Sequence, residues 1–146
     1  MYIVVMLFAG SLIALQSVFN GLLGKSLDHP FHAAIVSFVM GLLALLILTT
    51  VTQAGLPSLA QVSAVPKVLL LGGVIGAVFV TTVIFCMPHI GVANVVMASL
   101  CGQIIFSLFL DHIGAFGIDK YELDARRVVG ALLIIVGVFI INYHKS

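Results

Sequence analysis

Two amides, Gln16 and Asn20, stand four residues apart, and a second polar series, Ser99, Gln103 and Ser107, repeats at the same spacing. Residues four apart share one face of an α-helix, so each series is a polar stripe wherever its segment is helical. Amides and hydroxyls both donate and accept hydrogen bonds, but neither is an acid or base near neutral pH. The chemistry on offer is therefore hydrogen bonding. Two readings stay open: the stripes line a path for a polar solute, or they join helices, at an average of only about 0.6 kcal/mol per bond between membrane helices. Asn94 falls on a different face from Ser99, together with Ala98 and Cys101.

The run Asp28-His29-Pro30-Phe31-His32 contains three metal-ligand types. One short cluster supplies no fourth ligand, however, and Pro30 suits the first turn of a helix with Asp28 or His29 near its N-cap. No metal site is expected. Cys86 and Cys101 lack the spacing of a redox or metal pair and read as free thiols inside helices. His89 and His112 read as interfacial side chains. The sequence offers no Ser-His-Asp or Cys-His arrangement and no phosphate-binding glycine loop, so neither a catalytic residue nor a cofactor is expected.

The segments that carry these residues are apolar throughout. Of 146 residues, 62% are hydrophobic and 8% charged, against roughly a quarter charged in a soluble domain. So few charges cannot coat a water-facing surface, and the bilayer becomes the expected solvent. A net charge of +1 excludes a nucleic-acid footprint, and a mean hydropathy of +1.33 excludes disorder. A helix needs about 20 apolar residues to cross about 30 Å of hydrocarbon. Cutting the chain at its charges and turn residues predicts five crossings, at 2–24, 31–52, 68–87, 91–110 and 127–143. The third and fourth form a tight helical hairpin, broken at Pro88-His89-Ile90-Gly91. The fifth is short, with Arg126, Arg127 and Lys145 snorkelling from its ends. Gln53, Gly55, Pro57 and Ser58 mark a turn region after the second. The fold class expected is all-α, an integral membrane protein with residues 1–146 as a single five-helix domain.

The first run lacks the basic leader and cleavage site of a secretion signal and reads as a retained span. Continuous apolar runs, without alternation, exclude a β-barrel. Lys67, Lys120, Arg126 and Arg127 on one side outweigh Lys25 and Lys145 on the other by only two charges. The N-terminus is expected inside, with a bias weak enough for insertion both ways round. Gly72, Gly73 and Gly76, and again Gly130 and Gly137, provide small-residue surfaces for close helix packing.

Several of these segments resemble the drug/metabolite transporter superfamily, in particular its small bacterial YdcZ-like inner-membrane family. The similar stretches are Gln16-Ser17-Val18-Phe19-Asn20-Gly21-Leu22-Leu23-Gly24, Ser37-Phe38-Val39-Met40-Gly41, Ala98-Ser99-Leu100-Cys101-Gly102-Gln103, and Leu110-Asp111-His112-Ile113-Gly114-Ala115-Phe116-Gly117. The final helix, from Arg126 through Gly130, continues the match in order. The resemblance implies half of an inverted-repeat transporter, with the substrate site between two oppositely oriented copies near the bilayer midplane. The expected function is a transporter subunit in the bacterial inner membrane. It would move a small polar metabolite or drug by alternating access, as an antiparallel homodimer or as a heterodimer with a related subunit. The alternative is an inverted-dimer ion channel or an accessory membrane subunit. Gln16, Asn20, Ser99 and Gln103 are the expected substrate-binding residues. Asp111 and Arg126 are the expected structural or gating residues, with Asp111 paired to Arg126 or Arg127. His32 is the one titratable candidate for proton linkage near neutral pH.

Overall fold

The computed structural model describes residues 1–143, and Lys145, used in the charge count above, lies outside them. Among the described residues six α-helices follow one another: α1 (Tyr2–Ser26), α2 (Pro30–Val51), α3 (Leu59–Ala64), α4 (Leu71–Ile90), α5 (Val92–Ile113) and α6 (Ala125–Tyr143). Among the described residues four helical segments are long and apolar enough to cross a membrane: Tyr2–Ser26, Pro30–Val51, Lys67–Ile90 and Val92–Ile113. At 1.5 Å per residue, the 22 residues of α2 reach about 33 Å, matching the hydrocarbon thickness. The fifth expected span coincides with α6, whose first turn holds Arg126 and Arg127.

Local chemistry sets the helix ends. His29 is the extended N-cap of α2, its Nδ1 accepting the Phe31 N–H at 3.2 Å, and Pro30 takes the first helical position. Asp28, at φ 55°, turns the chain between α1 and α2. The threonines near the end of α2 satisfy themselves along the helix: Thr50 Oγ1 donates to the Ile47 carbonyl and Thr52 Oγ1 to that of Leu48. Gln53 (φ 54°) and Gly55 (φ 70°) then reverse the chain.

Two elements differ from the expected pattern. Helix α3 forms inside the expected turn region, held by a reciprocal cap between Ser58 and Gln61 at 2.8 and 3.2 Å. Helix α4 also runs straight through Pro88 and His89, where the hairpin break was expected. Proline removes one hydrogen bond, to the Ile84 carbonyl, but at the last turn the helix has little left to lose. Continuity ends at Gly91, at φ 80° and ψ 161°, a region open to glycine alone.

The chain divides into two compact units at Gly91. In the first, α1, α2 and α4 pack on one another around Ala33, Ala34 and Ile84, flanked by Leu23 and Val80. The two alanines let the backbones approach, and that small cluster is the core. In the second, α5 packs against α6. No large side chain is fully buried among the described residues, while Phe8, Phe31, Phe85 and Phe139 stand open. This inverts the arrangement of a soluble domain and fits a surface solvated by lipid.

Candidate functional site

On α1 the stripe splits. Ser17, Asn20 and Gly21 are buried in α1, which packs against both α2 and α4. A Cβ on Gly21 would meet the end of the Met87 side chain, and one on Gly24 would lie 2.6 Å from Ile84 Cγ2. Gln16 is exposed. Its neighbour Ser17 is turned inward and donates to the Ile13 carbonyl at 2.8 Å. The Asn20 amide, with 6% of the residue exposed, enters no hydrogen bond among the described residues.

On α5 the hydroxyls are likewise spent on their own helix. Ser99 Oγ donates to the Val96 carbonyl at 2.9 Å and Ser107 Oγ to that of Ile104 at 3.0 Å. Gln103 is exposed and its amide has no hydrogen-bond partner among the described residues. Self-satisfied serines contribute polarity without free donors, so Gln16, Asn20 and Gln103 are the groups left to engage something else. Gln16 and Asn20 belong to the first unit and Ser99 and Gln103 to the second. Asn94, half-buried on α5, lies outside the stripe.

Asp111 sits in the last turn of α5 and pairs with Arg127, Nη2 to Oδ2, at 3.1 Å. Arg127 Nη1 also donates to the Tyr121 carbonyl at 3.4 Å, and the guanidinium lies 5.3 Å from the centre of the Tyr121 ring. The Asp111 carbonyl accepts the Tyr121 N–H at 2.9 Å, and His112 Nδ1 accepts that of Leu123. Asp124 starts α6 by accepting the Arg127 N–H at 2.8 Å. Gly114 (φ 63°) and Gly117 (φ 83°) bend the connection so that these groups meet. Arg126 is exposed and takes part in no ion pair or hydrogen bond among the described residues. Tyr121 and Asp124 were not singled out in the sequence, and His112 was read there only as an interfacial side chain. Only Asp124, at a helix start, carried a local signal.

The first unit also holds two cavities that no motif announced. One, of about 350 Å³, lies where α1 and α4 end and α2 begins, with Lys25, Asp28, His29 and His89 in its wall. The other is an open groove of about 970 Å³ between α2 and α4, walled by Phe31, Ile35, Phe38, Ala77, Val78 and Phe85. His32 is exposed and lines neither, its ring 5.0 Å from that of His29.

Residues 1–140 match the family described as "Putative inner membrane exporter, YdcZ". No curated protein and no solved structure matches the chain.

Proposed function

The chain belongs to the YdcZ family of inner membrane exporters and is a multi-pass inner membrane protein, and from that premise we propose that it is one five-helix half of a two-subunit transporter. In this reading α6 is the fifth span, and the two units act together as one domain. Two copies, or this chain and a related subunit, face each other with opposite orientations. A small polar metabolite or drug crosses between them by alternating access, held by hydrogen bonds from Gln16, Asn20, Ser99 and Gln103. Asp111 and its Arg127 partner hold the α5–α6 connection, and Arg126 stands free for the gating contact between subunits.

One observation carries the reading: Gln16 and Gln103 are exposed amides, without a hydrogen-bond partner among the described residues, in helices whose exposed side chains are mostly apolar. An amide facing hydrocarbon without a hydrogen bond costs several kcal/mol. The faces that bear these amides therefore belong against water, a solute or a second subunit. The thin charge bias adds support, because a chain that inserts both ways supplies both orientations.

The test compares transport with folded yield in proteoliposomes. Gln16→Ala and Gln103→Ala are each expected to reduce saturable uptake by at least about tenfold while detergent-extracted yield stays near wild type. Uptake and yield falling together would make the amides helix glue and sink the proposal.

A further inference from the structure

The smaller cavity, with Lys25, Asp28, His29 and His89 in its wall, and the apolar groove of the first unit meet at His29, Pro30 and Phe85, which line both. Together they form a site with a charged head and an apolar trough. We propose that this site holds one phospholipid of the surrounding leaflet, a zwitterionic lipid whose headgroup bears a primary amine.

The dimensions fit one leaflet. The groove runs along α2 from Pro30 to Phe38 and along α4 from Ala77 to Phe85. Eight residue steps at 1.5 Å give about 12 Å, against about 15 Å for half the hydrocarbon core. The trough walls are almost wholly apolar, and its Phe31, Ile35, Val78 and Phe85 side chains are all exposed. An acyl chain lying there gains contact on both sides without displacing a polar partner.

The head chemistry selects the lipid. Lys25 and Asp28 both line the smaller cavity, and no ion pair between them forms within 4 Å among the described residues. They offer one separated cation and one separated anion. A phosphate fits Lys25. His29 adds a donor, because its Nδ1 already accepts the Phe31 N–H, which leaves the ring proton on Nε2. The Asp28 carboxylate accepts hydrogen bonds from a primary ammonium, which a trimethylammonium cannot donate. A headgroup without a cation leaves Asp28 unmatched beside a phosphate.

The experiment uses the full chain, purified and stripped of lipid, then exposed to mixed micelles of phospholipids with identical acyl chains. Native mass spectrometry counts the lipid retained. Wild type is expected to retain phosphatidylethanolamine about tenfold better than phosphatidylcholine, the scale of one charge-assisted hydrogen bond. Asp28→Asn should abolish that preference, Lys25→Gln should lower retention of both lipids, and Ala77→Phe should do the same by filling the trough. Circular dichroism checks that each variant stays helical. Should Ala77→Phe lose helix, Thr82→Phe, at an exposed position on the same wall, carries the same expectation. Equal retention of the two lipids by wild type, or a preference for phosphatidylglycerol, overturns the headgroup assignment. A lipid-free dimer that Thr82→Phe dissociates would seat a second copy in the groove and overturn the site itself.

Discussion

Arg127 and Asp111, sixteen positions apart, meet at 3.1 Å and tie the first turn of α6 to the last turn of α5. Each is misplaced on its own helix. A carboxylate near a helix C-terminus and a guanidinium near an N-terminus both oppose the macrodipole, by about 0.3 to 1 kcal/mol each. Bringing the two together offsets both mismatches. The Asp111 carbonyl and the Tyr121 ring then fix the same corner through the backbone and the guanidinium face.

Asp111→Asn and Arg127→Gln should therefore each lower stability, by about 1 kcal/mol, since both side chains remain about a third exposed. The double variant should be no worse than the poorer single one, because it removes both mismatches at once. Arg126→Gln, at an exposed position without an ion pair or hydrogen bond among the described residues, should stay within about 0.5 kcal/mol of wild type. Thermal midpoints in detergent, arranged as a double-mutant cycle, measure this. Additive losses would mean that the pair is uncoupled.

Gly21 and Gly24 both face α4, yet their alanine variants should differ. At Gly21 the obstacle is the terminal methyl of Met87, the free end of a flexible chain that can rotate away. Alanine also favours the helix by about 1 kcal/mol over glycine, so Gly21→Ala should be near neutral. At Gly24 the obstacle is Ile84 Cγ2, 2.6 Å from the added Cβ, on a stiff β-branched side chain in the core. Overpacking of that kind costs about 1 to 3 kcal/mol and outweighs the propensity gain. Equal thermal midpoints for the two variants would contradict the α1–α4 packing described above.

The long apolar runs made the helices legible, because a continuously apolar, non-alternating run satisfies its backbone in hydrocarbon as a helix. Pro30 and His29 likewise announced the start of α2. Pro88 misled, since proline breaks a helix only where the lost hydrogen bond has a continuing helix to damage. Helix α3 was hidden because a single capped turn has no apolar periodicity to show. The polar stripe on α1 was visible, but not its division into a buried Asn20 and an exposed Gln16, since burial depends on where α4 lies. Asp111 required a cation, and Arg126 and Arg127 were equal candidates. The bend at Gly114 and Gly117 selects Arg127.

The glycines at 72, 73, 130 and 137 have open space where a Cβ would stand, with no atom within 4 Å among the described residues apart from their own helix backbone and chain neighbours. Under the proposed pairing of subunits they are available for close approach by another copy. Gly130→Leu and Gly137→Leu should leave helix content unchanged while reducing the dimer fraction seen by cross-linking in membranes. Gly76 already lies 3.8 Å from Phe38 in this sense, so Gly76→Leu should instead disturb the first unit itself. A dimer fraction that survives leucine at both 130 and 137 would remove α6 from the interface.

The positions of the acids decide how transport can be driven. All five lie away from the middle of a span: Asp28 in the turn before α2, Asp111 in the last turn of α5, and Asp119, Glu122 and Asp124 between α5 and α6. A carboxylate at mid-membrane costs at least about 2.5 to 3.5 kcal/mol and is kept where a proton must be exchanged for a cation. This chain places none there. The groups left at depth are neutral amides, which bind equally well on either side of a pH gradient. Uptake of a neutral or zwitterionic polar substrate in proteoliposomes should therefore be nearly unchanged by Asp28→Asn, with or without an imposed pH gradient. Lipophilic cations should be poor substrates. Robust proton-coupled export of a cationic dye, lost on Asp28→Asn, would mean that Asp28 reaches the transport path and that hydrogen bonds from amides are not what holds the solute.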